Sequence, residues 1–146
     1  MHLTNLAIAA LLAGFVTVLG FAPVLVVQLS IMVPASIIGV WLFSVQHRFE
    51  SSCWWTEADW TPAQAAIHGS SYLKLPALLQ WFTGNIGFHH VHHLMPRVAN
   101  YRLQACHEAL QRTIGGVTIL TLRKALIAPS YALWDPERRR MARFPR

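Results

Sequence analysis

The sequence predicts an all-α integral membrane protein: a transmembrane helical hairpin, then a cytoplasmic or interfacial helical region built around a histidine box. Three observations carry this. No Asp, Glu, Lys or Arg occurs from Leu3 to Gln46. That run is interrupted at "LGFAPV", and farther on "HHVHH" places four histidines in the five positions 89–93, behind a stretch of large apolar side chains.

A membrane span needs about 20 apolar residues at about 1.5 Å rise each. The charge-free run is about twice that long, so it reads as two helices, Leu3–Leu19 and Val24–Val45. Gly20 relaxes the turn between them. Pro23 stands near a helix start, where its missing N–H is tolerated, while Pro34 falls inside the second helix and should kink it. A signal peptide would need a basic leading region and a shorter apolar core. Two buried helices of a soluble protein are the competing reading. A chain of 146 residues, 54% of them apolar, has too little other surface to cover two helices that are apolar on every side. From Arg97 onward there are ten Lys or Arg against three Asp or Glu. By the positive-inside rule both termini then lie in the cytoplasm.

The expected organisation is a transmembrane hairpin over 1–46, a histidine-box region over 47–127, and a basic C-terminal tail over 128–146. "WLFSVQHRFESSCWW" marks the exit from the membrane, with Trp41, Trp54, Trp55 and Trp60 suited to the interfacial belt. Thr61 reads as an N-cap with Pro62 at the first helical position, opening a short helix that ends before Gly69. "YLKLPALLQWFTGNIGF" reads as a re-entrant or interfacial helix that delivers the histidines. "NYRLQACHEALQR" reads as a helix capped by Asn100, and "GGVTILTL" as a short strand or extended segment from its β-branched content. The tail, with five arginines from Arg138 on, reads as a solvated or lipid-headgroup-facing end. Cys53 and Cys106 have no CxxC spacing, which excludes a disulfide scaffold or cysteine zinc module. The basic excess comes with no nucleic-acid recognition motif, so no nucleic-acid partner is expected.

At about 100° per residue, His89, His92 and His93 fall on a helix at about 0°, 300° and 40°, whereas His90 falls at about 100°. HxxHH spacing thus aims three imidazoles at one point, a good ligand set for iron, copper or zinc. The glutamate of HExxH, which would supply a peptidase base, is missing. His47 closes the second proposed span. Glu50 follows three residues later and either accepts the His47 N–H or binds the metal itself. His68 and His107 read as structural, and His2 is terminal.

"VWLFSVQHRFE" and "GSSYLKLPALLQWFTGNIGFHHVHHLMPRVANYRLQACHE", with the tryptophans between them, resemble the C-terminal part of membrane fatty acid desaturases. The nearest group is the bacterial and cyanobacterial acyl-lipid enzymes of the delta-12 (omega-6) kind, and the likeness covers Leu3 to about Ile127. It implies an oxygen-dependent desaturation of a fatty acyl chain at a histidine-ligated di-iron centre, with O2 as co-substrate. His89, His92 and His93 match ligands of the third histidine box, and His47 matches the further ligand after the fourth span. His90, Glu50 and Asn85 match supporting positions. The family's first two boxes, HxxxH and HxxHH, have no counterpart here, and the implied reading is a truncated product or one half of a split enzyme, inactive alone. The alternatives are a non-catalytic remnant, or part of a related histidine-rich membrane hydroxylase or ketolase. The resemblance further implies a bacterial inner membrane, membrane lipids, a fatty acyl lipid substrate and a ferredoxin or cytochrome donor, for which Arg97, Arg102 and the tail would offer a docking surface. Trp81, Phe82 and Phe88 are expected either to line the acyl passage or, equally, to face lipid or pack.

Overall fold

The computed structural model describes residues 2–145, which form two compact units divided between Val40 and Trp41. The first holds α1 (His2–Leu19) and most of α2 (Phe21–His47). Gly20, at φ 86°, is the single residue between the two helices, a left-handed position that glycine enters without steric cost. Its N–H closes α1 by donating to the Val16 carbonyl (2.9 Å). Both helices are long and apolar enough to cross a membrane. No residue of α1 is buried, and none of α2 is buried before Val45, with Leu3 84% and Val18 81% accessible. The helix continues through Pro34 without a break.

The second unit is built from short pieces. Thr61 caps α3 (Pro62–His68) by accepting the Gln64 N–H at 3.2 Å. There follow β1 (Ser71–Lys74), α4 (Ala77–Phe82), α5 (His89–Leu94), α6 (Leu103–Leu110), β2 (Thr118–Thr121), α7 (Leu122–Ile127), β3 (Tyr131–Asp135) and β4 (Arg140–Arg143). β1 and β2 pair in parallel with Ser71 opposite Thr118 and Lys74 opposite Thr121. β3 and β4 form an antiparallel hairpin with a register shift between Tyr131 and Leu133. One core gathers Val45, Phe49, Leu73, Leu120, Ala125 and Ala128 at the end of α2. The other gathers Phe88, Val91 and Leu103 between α5 and α6.

The all-α expectation is therefore corrected by two small sheets. The "YLKLPALLQWFTGNIGF" stretch is not one helix. Pro76 disfavours the helical region for Leu75, so a strand precedes it and a helix follows. Within "GGVTILTL" the extended segment is β2. Asn100 opens a single 3-10 turn, with its Oδ1 accepting the Tyr101 N–H (2.8 Å), and the α-helix proper begins at Leu103. The basic tail supplies β3 and β4 rather than a loose end.

Candidate metal centre

Three histidine side chains meet at their Nε2 atoms. His47 ends α2, while His89 and His93 stand one turn apart on α5. Their Nε2 atoms are separated by 2.9 Å (His47–His89), 3.1 Å (His89–His93) and 3.3 Å (His47–His93). Two imidazole nitrogens bound at right angles to one ion at about 2.1 Å lie about 3.0 Å apart. The observed edges are close to that separation, and the three residues could hold a single transition-metal ion. Among the described residues they form the one group of converging ligand atoms.

The local chain explains the convergence. Ile86 N–H bonds to the Thr83 carbonyl (3.2 Å) around Gly84 and Asn85, both at left-handed φ (62° and 60°). This is the two-residue turn that glycine and asparagine favour. It reverses the chain after α4 and starts α5 at His89. The Gly87 carbonyl accepts the Leu73 N–H (2.9 Å), and the buried Gln46 amide donates to the Ile86 carbonyl (2.9 Å), so β1 and α2 both grip this loop. Asn85 acts through the turn and donates to the Asn100 carbonyl (3.2 Å).

Ring protonation follows from the partners. A carbonyl only accepts, so His47 Nδ1, 3.0 Å from Gly69 O, carries the proton and its Nε2 offers a lone pair to the triangle. Burial, and then the neighbouring rings of His47, His93, His92 and His90, push the His89 pKa down to about 3. Burial also lowers His93. Both rings are neutral at pH 7, the state a metal requires. His89 Nδ1 is buried without a hydrogen-bond partner.

Other sequence candidates sit differently. His92 lies beside the triangle, its ring centroid 5.7 Å from His89 and 5.8 Å from His93, and does not join the converging atoms. His90 turns away and pairs with His107 (Nε2 to Nδ1, 2.9 Å). Glu50 does not reach His47. Its carboxylate accepts from Arg140 (2.8 Å) and from the Tyr131 hydroxyl (3.3 Å). Phe88 is buried and stacked on Tyr72 (4.9 Å), a core position, while Trp81 and Phe82 are exposed. Arg97 and Arg102 are exposed as well. The wall beside the triangle comes instead from Trp54, Trp55 and Trp60, which with His47, His93, Pro62 and Ala65 line a groove of about 480 Å³. Reading those tryptophans only as interfacial anchors missed this. Their crowding within seven residues of chain after His47 was the available signal.

The sequence pattern of the fatty acid desaturase family matches residues 1–121. The chain is 46% identical over 143 residues to a fatty acid desaturase of Bacillus subtilis (strain 168), an alignment covering 98% of this chain and 40% of that protein. It is 34% identical over 62 residues to the chloroplastic omega-6 fatty acid desaturase of Arabidopsis thaliana, covering 42% of this chain and 14% of the plant protein. The corresponding protein of Brassica napus is 32% identical over 62 residues, with the same coverage. The chain thus spans 40% or less of the length of these relatives. No solved structure matches.

Proposed function

The chain belongs to the fatty acid desaturase family, and on that premise we propose that it contributes His47, His89 and His93 to the iron centre of an acyl desaturase, with His92 standing beside them. The Nε2 triangle of 2.9, 3.1 and 3.3 Å carries the reading. Bound iron supplies the oxygen-dependent chemistry needed to remove hydrogen from an unactivated methylene pair.

The chain's own residues have separate tasks. The Gly69 carbonyl fixes the His47 tautomer so that its lone pair faces the ion. Burial keeps His89 neutral. The Trp54, Trp55 and Trp60 groove, open at His47 and His93, seats an acyl chain so that one methylene pair stays beside the metal-binding face. The finer assignments form part of the same proposal: an omega-6 type double bond, lipid-linked substrate, ferredoxin or cytochrome donor, and α1 and α2 as a hairpin in a bacterial inner membrane with cytoplasmic ends. Residues 1–146 alone are proposed to hold one ion and not to desaturate, because among the described residues one ligand group converges.

The test is an anaerobic Fe2+ and Co2+ titration of the detergent-solubilised chain. One ion per chain is expected. His47→Ala, His89→Ala and His93→Ala should each weaken binding by about a hundredfold or more, and His68→Ala should leave it unchanged. Equal losses in all four variants would refute the triangle as the site.

A further inference from the structure

His90, like His92, is a histidine of the box that the triangle leaves out, yet it is 5% exposed. Its Nε2 lies 2.9 Å from His107 Nδ1, and His107 Nε2 lies 2.8 Å from Gln111 Nε2, one turn farther along α6 and just past its end. We propose that His107, set by Gln111, is a positioning residue: it fixes the tautomer and rotation of His90 and so holds α5 at the angle that turns His89 and His93 toward His47. The proposal rests on the metal-binding reading of the triangle.

The direction of each hydrogen bond follows from Gln111. Its amide nitrogen only donates, so His107 Nε2 accepts. The His107 proton is then on Nδ1 and is donated to His90 Nε2. The His90 proton is left on Nδ1. Three side chains thereby form one directed chain from α6 to α5.

The helix α5 needs such a pin. It has six residues and no side-chain cap at either end, too short to fix itself. Its apolar anchors, Phe88 and Val91, pack without directional preference. A hydrogen bond does set direction, and this one lies at about 100° around the axis, whereas His89 and His93 lie at about 0° and 40°. An imidazole tip roughly 6 Å from the helix axis moves about 2 Å when the helix turns by about 20°. Such a turn would open a triangle whose edges are near 3 Å. The pin also sits beside aromatic rings, with Tyr72 4.7 Å and Phe88 5.0 Å from His107 by centroids.

The test uses the full chain in detergent micelles with 15N-labelled imidazoles. The wild type is expected to show His90 and His107 both protonated at Nδ1 and bare at Nε2. Gln111→Glu, at an exposed position, replaces a donor by an acceptor and should move both protons to Nε2. Co2+ titration gives the second reading. His107→Leu should weaken binding roughly tenfold, and His107→Gln, which restores a donor, should recover it to within about threefold. A purely structural role predicts the opposite order, since leucine fills an apolar sleeve better than glutamine does. Leucine equal to or better than glutamine, or Nε2 protons in the wild type, would overturn the proposal. Should the wild type bind no Co2+, the metal reading falls, and the proton positions with their reversal in Gln111→Glu still decide whether the pin exists. If His107→Leu does not fold, Gln111→Glu alone supplies that decision.

Discussion

A methyl group added at Gly87 should damage both the fold and the triangle. A Cβ there would lie 2.5 Å from the Leu73 carbonyl oxygen, 2.5 Å from Gln80 Oε1 and 2.7 Å from Gln80 Nε2. Ordinary C···O approaches are about 3.3–3.6 Å, so something must yield by close to 1 Å. Leu73 is fully buried in β1. Gln80 is 7% exposed and neither atom of its amide has a hydrogen-bond partner, so its end can turn aside, but the Leu73 carbonyl is backbone and cannot. The loop itself must move, which stretches the Leu73 N–H bond to Gly87 and shifts His89 two residues on. Overpacking of this kind costs about 1–3 kcal/mol. For a unit of about 100 residues, that corresponds to a fall in Tm of about 4–8 °C per kcal/mol. Gly87→Ala is therefore expected to lower the melting temperature of the detergent-solubilised chain, followed by tryptophan fluorescence, and to weaken Co2+ binding in the same sample. Gly14→Ala, with nothing within 4 Å of its Cβ, is the control and should change neither. A Gly87→Ala protein with wild-type Tm and wild-type Co2+ affinity would refute the claim that this contact sets the box.

Acid should destabilise the second unit before any carboxylate matters. Burial lowers His90 to about 4 and also lowers His107, so an unfolded chain with ordinary histidines takes up protons first. Stability is then fully present above about pH 6.5 and is lost as pH falls toward 4, to be read by denaturant unfolding across that window. Glu50→Gln should cost less than about 1 kcal/mol, because the Arg140 pair is half exposed, and should speed amide exchange in β3 and β4 while leaving Co2+ affinity unchanged. A loss of metal affinity there would restore Glu50 to the site. His92→Ala should retain one Co2+ per chain with affinity within a few fold, and abolished binding would show that the ligand set is drawn wrongly. Washing membranes with alkaline carbonate should leave the full chain bound, and release would sink the hairpin reading of α1 and α2.

Several features were legible because they are properties of a short stretch of chain. The charge-free run from Leu3 to Gln46 has one interruption and gives α1 and α2 with their boundary at Gly20. Thr61 before Pro62 announces α3. The HxxHH face brings His89 and His93 together, but residue spacing alone cannot say which edge of that face meets a partner, and His47 comes in on the side away from His92. Glu50 was misplaced for a definite reason. Three-residue spacing makes neighbours only on a continuing helix, and α2 ends at His47. The group that does orient His47 is a backbone carbonyl at Gly69, 22 residues away, and a carbonyl leaves no mark in residue identity. β1 and β2 are four residues each, too short for an alternating pattern, and their pairing joins Ser71 to Thr118 across the whole histidine box.

The triangle itself argues that the fold, and not the histidines, brings these rings together. His47 Nε2 can only accept, since its proton is engaged with Gly69 O. If His89 Nε2 donates to it, His89 Nδ1 is left as a bare acceptor, buried and unpartnered. If His89 instead keeps its proton at Nδ1, two lone pairs face each other at 2.9 Å and a buried N–H goes unpaired. In either arrangement one buried polar atom is unsatisfied, at about 1–3 kcal/mol, and at most part of the triangle is hydrogen-bonded. Three free side chains would separate. They are held by Gln46 on the Ile86 carbonyl, Leu73 on Gly87, and Val91 packed without exposure against Phe88 and Leu103. The three Nε2 lone pairs would be engaged by a cation held among them, leaving the His89 Nδ1–H as the one unpartnered atom of the triangle. That is the physical sense in which the crowded rings would suit a metal.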